Sequence, residues 1–342
     1  MPKAKISDVA AEADVSISTA SKALNGTGAI SPNTIKRVEE AAKRLGYSPN
    51  RAAQLLAGKN KSIGVILPDD PPEVMEPLHA GILEAMEEYA QFGFRCTLKR
   101  LSYMLDFNTD ADHFSEAFLG MKEQINGLIF VPPVSARSGT NGIRDIIPAS
   151  MPKISLQVAS DETFCRSVTI DENMVGRMAA EFLSLTGSVH NAAVIAGNTA
   201  ASIHRMNIDS FSSEASARGI RMIGVRESFD DMKKAYEVTR SIIDASPELD
   251  GIFVSSYVSP AVCDAVLDAG KAGRIKIIGV DVFDRSAECL KNGLLSAIIY
   301  QNQKKQAKRG VAELTRLMRE GTAESVHIKP ELVLQSNLSF YI

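Results

Sequence analysis

The sequence predicts a multidomain chain: a small all-α helix-turn-helix headpiece with a short hinge helix behind it, then an α/β core of two lobes on two doubly wound parallel sheets. Three observations predict it. Helix caps and apolar residues spaced three and four apart punctuate the first sixty residues. From Lys61 onward, short buried-strand runs alternate with amphipathic helical stretches. The length of 342 residues is too great for one ordinary core and suits a small module plus a two-lobed body.

In the headpiece, Ile6, Val9, Ala10 and Ala13 recur at helical spacing beside Ser7, whose hydroxyl can cap a helix start. The helix stops at Asp14-Val15, where an aspartate takes the left-handed turn less comfortably than a glycine would. Ser16 restarts the chain as a second N-cap, and a short helix follows from about Ile17 to Leu24. Two short helices across a tight turn make a helix-turn-helix. Its second helix presents Ile17, Ser18, Ser21, Lys22 and Asn25 beside the buried-looking Ala20 and Leu24. Such side chains suit a major groove: lysine donates to guanine, asparagine pairs with adenine, and an apolar tip meets a thymine methyl. Ser31-Pro32 opens a third helix with Ile35, Val38, Ala42 and Leu45 on one face, closed by Gly46. After an extended spacer at 47–50, Arg51 to Gly58 spells a helix of barely two turns, too short to be stable alone. The alternative reading is a basic, solvated helical bundle without a binding role.

Charge divides the chain in the same place. The net charge is −3, but up to Lys61 ten Lys/Arg stand against five Asp/Glu. That leaves +5 on the head and −8 on the rest, a basic module on an acidic body. Apolar residues make up 45% and charged residues 23%, and no run approaches the roughly 18 uncharged apolar residues of a membrane span. Met1 to Asp14 has no apolar segment behind its lysines, so a cytoplasmic protein without membrane contact is expected. The four cysteines (Cys96, Cys165, Cys263, Cys289) are scattered without a Cys-x-x-Cys pair or a histidine at ligand spacing, and read as reduced filler rather than a metal site.

Asp8-Val-Ala, Val15-Ser16, Ala23-Leu-Asn-Gly26, Arg44-Leu-Gly-Tyr-Ser-Pro-Asn50 and Ala53-Gln-Leu-Leu-Ala57 resemble the LacI/GalR repressor headpiece, without gaps to about residue 60. The resemblance implies a recognition helix in the major groove and a hinge helix that folds on the minor groove, where a leucine, by position Leu56, wedges a central base step. It implies DNA contacts from Ser7, Ser16, Ile17, Ser18, Thr19, Ser21, Lys22, Asn25, Asn50, Arg51, Ala53 and Leu56. Lys22 stands where the family usually has arginine, Asp14 where it has a turn glycine, and Ile17-Ser18 form the variable reading pair.

In the body, strand-like runs at 62–67, 94–98, 127–131 and 153–157 are separated by helical stretches near 75–92, 109–124 and 139–147. The pattern resumes at 167–170, 192–195, 222–225, 251–254 and 276–280. No Gly-x-Gly-x-x-Gly turn, P-loop or nucleophile elbow is present, so an enzyme and a bound cofactor are not expected. The body resembles the type I periplasmic-binding-protein-like core of the same family. By that resemblance the chain crosses between lobes near 160, 290 and 322. The domains are then 1–48 (headpiece), 49–60 (hinge helix and linker) and 61–342 (core), with an N-lobe of about 61–160 and 292–321 and a C-lobe of about 161–291 and 322–342.

Ligands of open α/β sheets sit beyond the carboxyl ends of the strands. Asp281, after Ile277-Ile-Gly-Val280, matches the family aspartate that grips ligand hydroxyls; its alternative is an N-cap for the segment after Phe283. Where the family places an arginine this chain has Asn207, and where it places Asn-Asp this chain has Ser256-Tyr257. An uncharged polyhydroxy effector, a sugar or polyol, is therefore expected over an acidic one. Asn198, His204, Gln301 and Met75 complete the expected effector set, with Asp69, Asp70 and Val74 near the opposite wall; an ordinary core or surface role for His204 stays open. The C-terminal stretch carries no leucine heptads, so a homodimer on a pseudo-palindromic double-stranded operator is expected. The rival is a periplasmic-type sugar-binding receptor without a regulatory role, which leaves the first sixty residues unexplained.

Overall fold

The computed structural model describes residues 5–25, 30–47, 61–102, 110–133, 142–199 and 201–342. The chain divides into two compact units, Met1–Asn60 with Gln91–Gly93 and Lys61–Ala90 with Phe94–Ile342. The expected hinge helix, with Asn50, Arg51, Ala53 and Leu56, lies outside the described residues.

The first unit contains α1 (Ile6–Glu12), α2 (Ile17–Asn25) and α3 (Pro32–Arg44). Its core is made largely of alanine: Val9, Ala10, Ala13, Ala20, Ala23, Val38, Ala41 and Ala42 are buried together. Side chains this small let three short helices approach closely, and Ile6, Val15, Leu24, Ile30, Ile35 and Tyr47 pack around the rim. Leu45, expected on the buried face of α3, is exposed instead. Asp14 does take the left-handed conformation, at φ 48°. Ser16 caps α2 by accepting from the Thr19 N–H at 3.1 Å, and Ser31 caps α3 by accepting from Thr34 at 3.2 Å. Ser7 is not the cap of α1. It lies inside the helix, and the Lys5 N–H donates to Asp8 instead, at 2.8 Å, because a carboxylate at that position is the stronger acceptor. Gly46, at φ 59°, ends α3 while the Tyr47 N–H turns back to the Ala42 carbonyl.

The second unit holds two six-stranded sheets. The first runs in the order β2 (Phe94–Leu101), β1 (Lys61–Pro68), β3 (Gly127–Phe130), β4 (Lys153–Leu156), β5 (Arg166–Ile170) and β11 (Val326–Ile328), parallel throughout. The second runs β7 (Arg221–Glu227), β6 (Asn191–Ala196), β8 (Gly251–Val254), β9 (Lys276–Val280), β10 (Ala297–Tyr300) and β12 (Glu331–Val333). Here the expectation of an all-parallel sheet needs correcting, since β12 runs antiparallel to β10. In both sheets the first strand lies inside its successor, so the strand order reverses there. Helices α4 (Pro72–Ala90), α5 (Asp110–Met121), α6 (Gly142–Ile146) and α12 (Gln303–Glu320) belong to the first lobe. Helices α7 (Glu172–Leu185), α8 (Ser202–Ala217), α9 (Met232–Ala245), α10 (Ser259–Asp268) and α11 (Asp284–Lys291) belong to the second. The inner strands are apolar runs buried on both faces, as helix-covered parallel sheets require.

The lobe boundaries fall later than expected. Strand β5 pairs with β4, with Ser155 opposite Ser167, so 161–170 belong to the first lobe and not to the second. Strand β10 pairs with β9, which gives 292–300 to the second lobe. Strand β11 pairs with β5, which keeps 326–328 in the first. The chain therefore crosses between β5 and α7, between β10 and α12, and between β11 and β12. Strand pairing decides lobe membership, and hydrophobic texture alone does not reveal which neighbour a strand selects.

Candidate functional site

The three crossings bring the carboxyl ends of strands from both lobes around one cleft. The first lobe supplies Val74 and Met75 at the start of α4, Gln157 and Val158 after β4, and Ile170 at the end of β5. The second supplies Ser255, Ser256 and Tyr257 after β8, and Val280 and Asp281 at β9. Glu172 and Gln301, beside the crossings, and Gln306 of α12 close the ring. The cleft thus lies where open parallel sheets place ligands.

Asp281 is buried at φ 64° and accepts a 2.6 Å hydrogen bond from the Gln303 amide. Burial pushes its carboxyl up to about 6 despite that bond and one from the Gln301 backbone. It does not cap α11: Phe283 holds the N-cap position, and its N–H donates to the Ser286 hydroxyl at 2.9 Å. The carboxylate is left to the cleft.

Glu172, at the first turn of α7, faces the same space. Burial pushes it up to about 8, the Asp281 and Asp171 charges push the same way, and a hydrogen bond from Asn207 opposes them. Gly176, one turn along α7, explains how Asn207 reaches it. A Cβ there would collide with the Ser210 hydroxyl and the Asn207 carbonyl, so the glycine lets α8 lie directly on α7. Opposite, Asp230 sits at φ 62°, accepts the Ser256 hydroxyl at 2.5 Å and takes the Tyr257 hydroxyl on its carbonyl at 2.6 Å. Burial and the Asp230 charge push Tyr257 up to about 12. His204 bonds the Ser255 carbonyl through Nδ1 at 3.1 Å and approaches Asp230 at 3.8 Å through Nε2.

Of the expected effector residues, Asp281, His204, Asn207, Ser256, Tyr257, Gln301 and Met75 line the cleft. Asn198 does not: it sits in the turn after β6, where its carbonyl accepts the Ala201 N–H. Asp69 and Asp70 also stay out of the lining, bonded to Arg100 and Ser102. Sequence reasoning missed Glu172, Gln306, Gln157 and Asp230. Glu172 and Gln157 follow strand ends, so the strand-end rule would have found both once β4 and β5 were placed in one sheet. Gln306 lies inside a helix and carried no such signal.

On the first unit, Ile17 (55% exposed), Ser18 and Lys22 project outward from α2. The Thr19 hydroxyl lies 2.9 Å from that of Ser16, engaging both in the cap, and Ser21 is half-buried. Asn25 ends the helix, and Ser7 is exposed on α1.

Among the described residues, Asp69, Glu76 and His79 form a cluster of metal-ligand types within 4.8 Å. The Arg100 guanidinium already bridges both carboxylates, so the cluster has its cation. No described helix is long and apolar enough to cross a membrane.

Comparison with known proteins agrees with both units. Residues 63–322 match the periplasmic binding protein domain, and residues 5–50 match the bacterial regulatory proteins of the lacI family. The chain is 28% identical over 298 residues to the sucrose operon repressor of Streptococcus mutans, covering 81% of this chain and 82% of that protein. It is 31% identical over 198 residues to catabolite control protein A of Priestia megaterium, a match spanning 56% of this chain and 54% of that one. The fold is similar to that of a carbohydrate transporter solute-binding protein from Agrobacterium radiobacter solved with D-arabinose. The TM-score is 0.72 and the identity 18%, covering 82% of this chain and 96% of the other. With a lacI-type helix-turn-helix module joined to a periplasmic-binding-protein core, the chain belongs to the LacI family of DNA-binding bacterial transcription regulators.

Proposed function

We propose that the chain is a cytoplasmic repressor that binds a pseudo-palindromic operator as a homodimer and is controlled by a small polar metabolite, a sugar or polyol, held in the interlobe cleft. The observation that carries this reading is the cleft itself, a site lined from both lobes, with convergent polar side chains, where the chain crosses between them. A ligand that bonds both walls favours one arrangement of the lobes over another and so shifts their populations. By linkage it changes operator affinity by the same factor as the operator changes its own affinity.

In this reading Ile17, Ser18 and Lys22 read base edges, and Ser7, Ser16, Thr19, Ser21 and Asn25 are further DNA contacts. Asn50, Arg51, Ala53 and Leu56 form a hinge helix stabilised by the minor groove, with Leu56 as the wedge. Asp281, His204, Asn207, Ser256, Tyr257, Gln301 and Met75 hold the effector.

Leu56→Ala in the full chain tests the division of labour. Gel-shift titration is expected to show strongly weakened operator binding, while calorimetry shows ligand affinity unchanged. Undiminished operator affinity would remove the wedge, and a parallel loss of ligand binding would overturn the separation of head and core.

A further inference from the structure

The cleft's polar lining is unbalanced. Among the described residues it contains three acids, Glu172, Asp230 and Asp281, and no Lys or Arg side chain. Asp230 is engaged by Ser256 and His204, and Asp281 by Gln303. Around Glu172, the amide donors are spent on the protein. The Asn207 amide donates to Glu172, and that of Gln306 donates to the Gln301 carbonyl at 2.9 Å. Among the described residues, what remains beside Glu172 is its own Oε2, Asn207 Oδ1 and Gln306 Oε1, all buried and all without a hydrogen-bond partner; the Ser255 hydroxyl, after β8, is the other such atom of the lining. Glu172, Asn207 and Gln306 are 7%, 3% and 1% exposed.

Once Glu172 gives up its proton, these three atoms are acceptors with no donor among them, and that defines what they can receive. An ammonium brings three N–H donors and no acceptor. A hydroxyl brings one donor, and its lone pairs would need donors that these three atoms do not offer. Without a counter-cation the buried Glu172 carboxyl keeps its proton at neutral pH, and a ligand cation supplies the charge that lets it ionise. Deepening the effector reading, on which this step rests, we propose that the ligand carries a protonated amine on a polyhydroxylated frame, as in an amino sugar or amino polyol. Glu172, Asn207 and Gln306 receive the ammonium, and Asp281 takes hydroxyls. An anionic ligand, such as a sugar phosphate, is repelled by the same wall.

The test uses the full chain and paired probes: glucosamine, galactosamine, mannosamine and scyllo-inosamine, each beside its hydroxyl parent, read by thermal shift and calorimetry. At least one amine is expected to bind about tenfold or more tighter than its parent, the scale of a charge-assisted hydrogen bond. Glu172→Gln, which keeps the shape of the side chain, is expected to bring that ratio close to one.

If the parents bind and no amine binds better, the amine is overturned while the polyol cleft stands. If no member of either series binds, both fall. If the amine preference survives in Glu172→Gln, the placement of the ammonium at Glu172 is overturned.

Discussion

Asp281, at the end of β9, accepts a 2.6 Å hydrogen bond from Gln303, the first residue of α12, and the two residues stand on opposite lobes. The bond therefore ties the lobes together at a crossing, directly beside the cleft. Gln303→Leu leaves a buried carboxyl short of a donor and is expected to cost about 1–3 kcal/mol. It should also raise the Asp281 carboxyl further. Denaturant unfolding measures the first effect and carbon-detected NMR titration the second; an unchanged midpoint and an unchanged titration would dismiss the tie.

Glu172 makes stability depend on pH. Its unfolded value is about 4.3, and in the fold burial pushes it up to about 8. Between those values the folded chain holds a proton that the unfolded chain has released, so stability falls as pH rises. Asp281 adds a contribution of the same sign that ends near 6. The ligand-free melting temperature is expected to decline from pH 5 to 8, and Glu172→Gln to flatten the upper part of that decline. A variant with the wild-type slope would assign the proton elsewhere.

The contact between α7 and α8 rests on Gly176. In Gly176→Ala the new methyl meets backbone as well as a hydroxyl, so the helices must part. Overpacking of this kind costs about 1–3 kcal/mol. Because Asn207 rides on α8, ligand affinity should fall together with stability. Calorimetry showing full affinity in a destabilised variant would separate the packing from the site.

Lys22 projects from α2 into solvent, and no protein contact fixes its charge there among the described residues. Lys22→Ala is expected to weaken operator binding by about 1–3 kcal/mol if the contact is bidentate, and to relax preference at one base position. Selection from a randomised operator pool reads this directly. An unaltered consensus would show that lysine contacts phosphate only.

The sequence by itself determined the division into an α-helical head and an α/β body, the caps at Ser16 and Ser31, the left-handed turn at Asp14 and most of the strands. Each of these depends on residues within a few positions of one another, where periodicity and hydrogen-bonding chemistry act locally. It also led to Asp281 as a cleft residue, because a position directly after a parallel strand is a local signal. Only the tertiary structure decided that β5 joins β4, that β10 joins β9 and that β12 runs antiparallel, since pairing is settled by partners distant along the chain. Those pairings moved the lobe crossings and carried Glu172 into the cleft. There, the close approach of α8 at Gly176 and of α12 at Gln306 turned an ordinary acid on a helix into a buried, partly unpaired one.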